Sequence, residues 1–157
     1  MVTTVPGNAT ASGKGRTGRV VATSDDVALD AALLARALPG VIAYINFSGG
    51  HGGNPDRRPG NSCFPDTLAS LYGKYGRTTD VPNLWLYASN DKFWGPDMPQ
   101  VWHDAFAKAG GKGRLIKTGP VPDDDGHKLL AKGGRLWGDH VTPFMESLGF
   151  REITAQR

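Results

Sequence analysis

A single cysteine, Cys63, stands in a chain of 157 residues. One thiol excludes an internal disulfide and any zinc site built on paired cysteines, and it suits a reducing compartment. Cys63 itself sits in a Pro-rich loop with no basic neighbour beside it to lower its pKa, so it is not an expected nucleophile. No stretch approaches the roughly 18 apolar residues of a membrane span, and the opening MVTTVPGNATASGKGRTGR carries no apolar core of signal-peptide type. A cytoplasmic location without a membrane partner is the corresponding expectation; Asn8-Ala9-Thr10 fits a glycosylation acceptor but matters only in a secreted chain. The net charge of +3 comes from Lys and Arg scattered among acids. With no basic block and no aromatic-basic alternation to follow a phosphate backbone, nucleic acid is not an expected partner. The 22 glycines gather in turns such as SGGHGG, AGGKG and KGG without a fixed period, which excludes a solenoid. The triplet Asp123-Asp124-Asp125 lacks the alternate ligand spacing of a calcium loop and reads as a solvated acidic turn. No metal and no cofactor is expected.

What is present is an alternation. Residues 1–18 read as a flexible lead-in and 19–157 as one domain. Arg19 to Thr23 is a short β-branched run, and Ser24-Asp25-Asp26 opens a helical segment with Val27, Ala31, Leu34 and Leu38 on one face, closed by Pro39-Gly40. Val41 to Phe47 predicts a second strand. A long Gly/Pro/Asn loop follows, then a short helix over Thr67 to Tyr72. Leu84 to Ala88 predicts a third strand, Met98 to Ala109 an amphipathic helix stopped by Gly110-Gly111, and Gly113 to Thr118 a fourth strand. A last helix holds Val141, Phe144, Met145 and Leu148, with Gly149 as its cap. Strands alternating with helices predict an α/β fold, a mostly parallel sheet flanked by helices, because parallel neighbours need a crossover. Trp85, Trp94, Trp102 and Trp137 belong to the core or to a pocket wall.

In such sheets the ligand lies beyond the carboxyl ends of the strands. The run NLWLYA ends there on Ser89-Asn90-Asp91, which presents a carboxylate at the expected site edge. After the fourth strand, DGHKLL puts His127 in a turn. A histidine whose one ring nitrogen is held by a carboxylate has a fixed tautomer and can move a proton with the other, so Asp91 and His127 form a candidate pair. Ser24, at a strand-to-helix junction, is the candidate nucleophile, and followed by two acids it is equally a good helix N-cap. Asp91 could instead cap the turn at FWGP, and His127 could be a solvated loop histidine. Ser48, in NFSGG, is a rival nucleophile that leads into a glycine loop rather than a helix.

The blocks VIAYINFSGGHGG, YGKYGRTTDVPNLWLYASNDKFWGP, WHDAFAKAGGKGRL and DGHKLL, with the closing W-x-x-x-V-x-x-F-x-x-S-L-G, resemble the dienelactone-hydrolase-like branch of the α/β-hydrolase superfamily from about Val41 to Phe150. That resemblance implies an ester-, lactone- or related acyl-cleaving enzyme without a metal, with Asp91 as triad acid, His127 as base and Ser24 as nucleophile. Phe93, Trp94, Ser48 and His51 would line the substrate site and favour aromatic or apolar acyl groups. The family's nucleophile sits in G-x-S-x-G. Here the matching place reads Ala22-Thr23-Ser24-Asp25-Asp26, without either flanking glycine and with a carboxylate beside the amide that would join the oxyanion hole. Family sheets also begin with strands before the nucleophile, for which the residues ahead of Arg19 give little room. The first strands are therefore expected to be missing, which would leave an unpaired sheet edge open to self-association. The alternative function is a truncated, inactive hydrolase-like domain acting as a binding module.

Overall fold

The computed structural model describes residues 19–24 and 40–150, the first segment by its backbone apart from Val20. Four strands, β1 (Arg19–Ser24), β2 (Val41–Phe47), β5 (Asn83–Ala88) and β6 (Gly113–Thr118), form one sheet in the order β1-β2-β5-β6, parallel throughout. All the strands therefore end at one edge. Two short strands, β3 (Gly53–Asn54) and β4 (Arg58–Ser62), make an antiparallel hairpin beside it. The helices are α1 (Pro65–Thr78), α2 (Met98–Lys108), the single turn α3 (Leu129–Lys132) and α4 (Gly134–Ser147). Among the described residues no helix is long and apolar enough to cross a membrane.

The two central strands are buried on both faces, which is why VIAYINF and NLWLYA read as nearly continuous apolar runs. Their side chains alternate between two cores. Trp85 and Tyr87 of β5 point to one face, where Leu68, Tyr72 and Tyr75 of α1, Trp94, and Trp102 and Phe106 of α2 meet them. Leu84, Leu86 and Ala88 point to the other, joined by Ile45, Phe47, Val121 and Leu129, with Leu136, Trp137, Val141, Phe144 and Met145 of α4 packed outside. The first core is aromatic. Tyr72 stacks on Trp102 at 5.5 Å, and Trp102 meets Trp94 edge-on at 5.2 Å. On the outer strand β6, Arg114 and Lys117 are exposed, placing charge on a sheet edge.

The structure departs from the sequence expectation in two places. The first helix, expected over Thr67 to Tyr72, runs for 14 residues from Pro65, which starts it at a position where the missing amide is no loss. Gly73 and Gly76 depress its propensity. A side chain at Gly76 would bring a Cβ to 2.9 Å from the carbonyl carbon of Phe106, and closer still to its oxygen, so Gly76 is what lets α1 and α2 touch. The second departure is the hairpin, formed inside the segment expected to be a loop. The helix expected after Ser24 lies outside the described residues.

Gly76→Ala is expected to lower stability by about 1–3 kcal/mol through this overpacking. Gly73→Ala, whose Cβ would meet only the Ala105 carbonyl at an ordinary 3.6 Å, should be neutral or stabilising by up to about 1 kcal/mol. Urea midpoints of the two variants, run side by side, check the contrast.

Candidate active site

At the edge where the parallel strands end, β5 turns sharply through Ser89-Asn90-Asp91. The Asp91 side chain is fully enclosed, and a buried carboxylate has to be hydrogen-bonded or paired. Three contacts meet that need. Oδ1 accepts the amides of Phe93 (2.8 Å) and Trp94 (3.2 Å), and Oδ2 lies 3.4 Å from Nδ1 of His127. The two amides fix the carboxylate, so that its second oxygen faces the imidazole. His127 comes from the turn after β6, as the middle residue of a single 3-10 turn (Gly126–Lys128). Asp125 precedes that turn, and its Oδ1 accepts both the His127 amide and the Lys92 amide, each at 3.0 Å. Lys128 is turned away to Asp124 at 2.7 Å, a contact that holds the Asp124 carboxyl below its ordinary range.

Asn90 joins the two turns. Its Nδ2 donates to the carbonyls of Val121 and Asp124, its Oδ1 accepts the Val121 amide, and its own carbonyl accepts the Gly126 amide. The approach needs glycine at 126: a Cβ there would fall 2.4 Å from the Asp91 nitrogen and 2.6 Å from Asn90 Oδ1. Neither Asn90 nor Asp125 was singled out from the sequence. Asp125 carried a usable signal, an acid two residues before the histidine in the position that caps a turn.

Two aromatic rings complete the surroundings of His127. Phe93 lies nearly parallel to the imidazole, with centroids 4.0 Å apart and planes at 23°, and Trp94 meets it edge-on at 6.0 Å. The hairpin covers these rings, with Gly53 against both and the backbones of Gly60 and Gly95 in contact. The Gly60 amide donates to the Lys92 carbonyl at 2.7 Å.

Of the residues expected to bind substrate, Ser48 and Trp94 are fully buried and form the floor of this arrangement. Phe93 and His51 keep partial exposure. The Trp94 indole donates to the Ser48 carbonyl at 2.7 Å, and Ser48 Oγ lies 3.4 Å from the Gly126 carbonyl. Ser48 has φ +52, a left-handed conformation at a strand end. Next to it, the Gly49 carbonyl accepts the hydroxyls of Tyr72 and Tyr87, and the Gly49 amide is taken by Asn46 Oδ1 at 2.8 Å. Burial first, then the charge of neighbouring phenols, pushes the pKa of both tyrosines far up. His51 contributes its carbonyl, which accepts the Ser62 hydroxyl at 2.8 Å. Cys63 is an exposed thiol.

Ser24 is the last residue of β1 and pairs in register with Phe47, the residue before Ser48. Its side chain lies outside the described part of the structure. No group of three metal-ligating side chains occurs among the described residues.

Neither a family model nor a curated protein sequence matches the chain. Solved structures do. An esterase of Pyrococcus furiosus, Pf2001, superposes in one crystal form with a TM-score of 0.59 at 12% identity over 82% of this chain. Two further crystal forms of it give 0.56 at 11% and 0.52 at 12%, over the same share. The chain spans about half of that esterase, 52% of its length. The likeness and the parallel sheet with helices on both faces define an α/β-hydrolase-like fold.

Two outcomes follow from this geometry. Gly126→Ala is expected to force the turns apart, lengthen the His127–Asp91 contact and lower stability by about 2 kcal/mol or more; a shifted His127 side-chain NMR signal with a lower urea midpoint is the readout. The tyrosines give a pH dependence. Folded, both hold their protons beyond the ordinary value near 10, so above that pH the unfolded chain releases protons that the native state keeps. Stability present below about pH 10 should then fall by up to about 1.4 kcal/mol per pH unit for each tyrosine. Urea unfolding at about pH 9 and about pH 11 should show this loss, reduced in Tyr72→Phe and Tyr87→Phe.

Proposed function

We propose that the chain carries the catalytic centre of a dienelactone-hydrolase-like serine hydrolase that cleaves an ester, lactone or related acyl bond. The observation that carries this reading is the Asp91–His127 contact of 3.4 Å, made by an enclosed carboxylate at the carboxyl ends of adjacent parallel strands. The likeness to an esterase supports it. With Nδ1 on Asp91, Nε2 of His127 removes the proton of Ser24 Oγ as that oxygen attacks the acyl carbon. The tetrahedral species collapses as the C–O bond to the leaving group breaks, and the imidazolium returns the proton to the leaving oxygen. Water, deprotonated by the same nitrogen, then attacks the acyl-enzyme and releases the acid and Ser24. Asp91 keeps the tautomer and stabilises the charged ring. The partly exposed His51 lies on the substrate side.

A second reading has its own support. Among the described residues β1 has a neighbour only on the β2 side, and Ser24 is followed by two acids. These features fit an inactive domain that pairs through this edge.

A fluorophosphonate probe and a short-chain p-nitrophenyl ester separate the two. The hydrolase reading expects labelling of Ser24, abolished in Ser24→Ala, with kcat falling about 10³–10⁴-fold in His127→Ala and Asp91→Asn. No labelling and no turnover, with concentration-dependent association in sedimentation, would select the second.

A further inference from the structure

We infer that Phe93 is a positioning residue for His127, which orients the imidazole and favours its charged form, rather than a wall of the substrate site. The inference rests on the proposed role of His127 and goes beyond it, because it concerns what holds the base.

The Asp91 contact constrains one ring nitrogen. A second constraint on the ring plane comes from its face. Phe93 supplies it, with centroids 4.0 Å apart and planes at 23°, while the Trp94 edge bounds another side at 6.0 Å and 66°. Phe93 is itself held at three points. Its amide is bound by Asp91 Oδ1 at 2.8 Å. Trp94, in tilted contact with it at 5.9 Å, is anchored through its indole to the Ser48 carbonyl. On the outer side the hairpin closes over it at Gly53, where a Cβ would fall 2.8 Å from Phe93 Cδ1 and 2.7 Å from Trp94 Cη2. One carboxylate thus aligns His127 directly through Oδ2 and, through Oδ1, holds the backbone of the residue that stacks on it.

The stack also acts on charge. The negative face of an aromatic ring attracts a cation placed over it, so a parallel Phe93 favours imidazolium over imidazole, the form that arises when the base takes a proton. Among the described residues, the charged groups facing His127 from the neighbouring turns are Asp91, in contact, and Asp125, which binds its amide. Lys128 is engaged by Asp124, and Lys92 is exposed. Both carboxylates remain when Phe93 is replaced, so the change on replacement reports the ring.

The test is a pH titration of the His127 side chain by imidazole NMR, assigned with His127→Gln, in the full chain. Phe93→Leu is expected to lower the His127 pKa by roughly half a unit to one unit and to abolish the ring-current shift of its carbon-bound protons. Phe93→Tyr should restore both. Gly53→Ala, whose Cβ would press on Phe93 and Trp94 together, should move the same signals in the direction of Phe93→Leu. With ester as substrate, Phe93→Leu should lower kcat with little change in KM. An unchanged His127 titration and shift in Phe93→Leu would overturn the inference, as would a rise in KM alone, the mark of a pocket wall. A wild-type chain without turnover or probe labelling would count against the hydrolase reading, while the NMR titration would still decide whether Phe93 holds His127.

Discussion

The carboxamide of Asn90 is the link on which the site depends. Parallel strands deliver their ends to one edge of a sheet, but nothing in strand pairing keeps the turns that follow them together. Here the pairing of β5 with β6 stops at Ala88 and Thr118, and Asn90 continues it in another form. It uses both side-chain donor directions and its acceptor on the Val121 and Asp124 backbone, and adds its own carbonyl to the Gly126 amide. Val121 is also a buried member of the aliphatic core. The turn that bears His127 is therefore tied at one end to the packed interior and at the other to the turn that bears Asp91. Glycine at 126 is the steric condition for this closeness, and Asp125 completes it by binding an amide from each turn.

Beneath the two turns lies a second layer that makes them rigid. Asn46, Tyr72 and Tyr87 converge on Gly49, and the Asn46 amide donates to the Tyr87 hydroxyl at 2.9 Å. Above this, Trp94 connects Ser48 to the aromatic core. A carboxylate and an imidazole keep a defined geometry only if their neighbours hold it, and these neighbours belong to three elements of the aromatic face: β2, β5 and α1. The aromatic core so stabilises the sheet and sets the depth at which the Asp91 turn sits.

The alternation of strands and helices was legible because burial of the central strands on both faces writes continuous apolar runs, and because α2 ends at glycines. The limits of β6 were read as they stand, Gly113–Thr118. The closeness of Asp91 and His127 was legible too, since chain order and the parallel-sheet rule bring both to one edge. Two features escaped local reading for the same reason. Gly73 and Gly76 argue against a long helix in isolation, and the glycines of the 49–60 region argue for an irregular loop, yet several of them mark close approaches: Gly76 to the Phe106 carbonyl, Gly53 to two aromatic rings, Gly60 to Gly95. A glycine required by packing and a glycine that permits a loop are the same letter. Size and place in the FWGP turn mark Trp94 as a core or substrate-site residue; its indole contact with Ser48 places it under the site.

The end of β2 shows how such local costs are tied to the site. Ser48 adopts φ +52, a conformation that costs a non-glycine residue on the order of 1–3 kcal/mol. Its polar surroundings are satisfied: its amide donates to the Leu86 carbonyl at 2.9 Å, its carbonyl accepts the Trp94 indole, and the following amide is bound by Asn46. The consequence of the strain is a change of direction. Continued extension would run the chain onward along the axis of β2, between the end of β1 and the turns that hold Asp91 and His127. The left-handed turn instead takes it to the aromatic face, where the Gly49 carbonyl meets two tyrosines and Gly50 lies against Trp94 and Trp102. Ser24 pairs with Phe47, one residue before that turn. The line from the end of β1 to His127 passes over this point, and the strained, buried serine is the residue that directs the chain away from it.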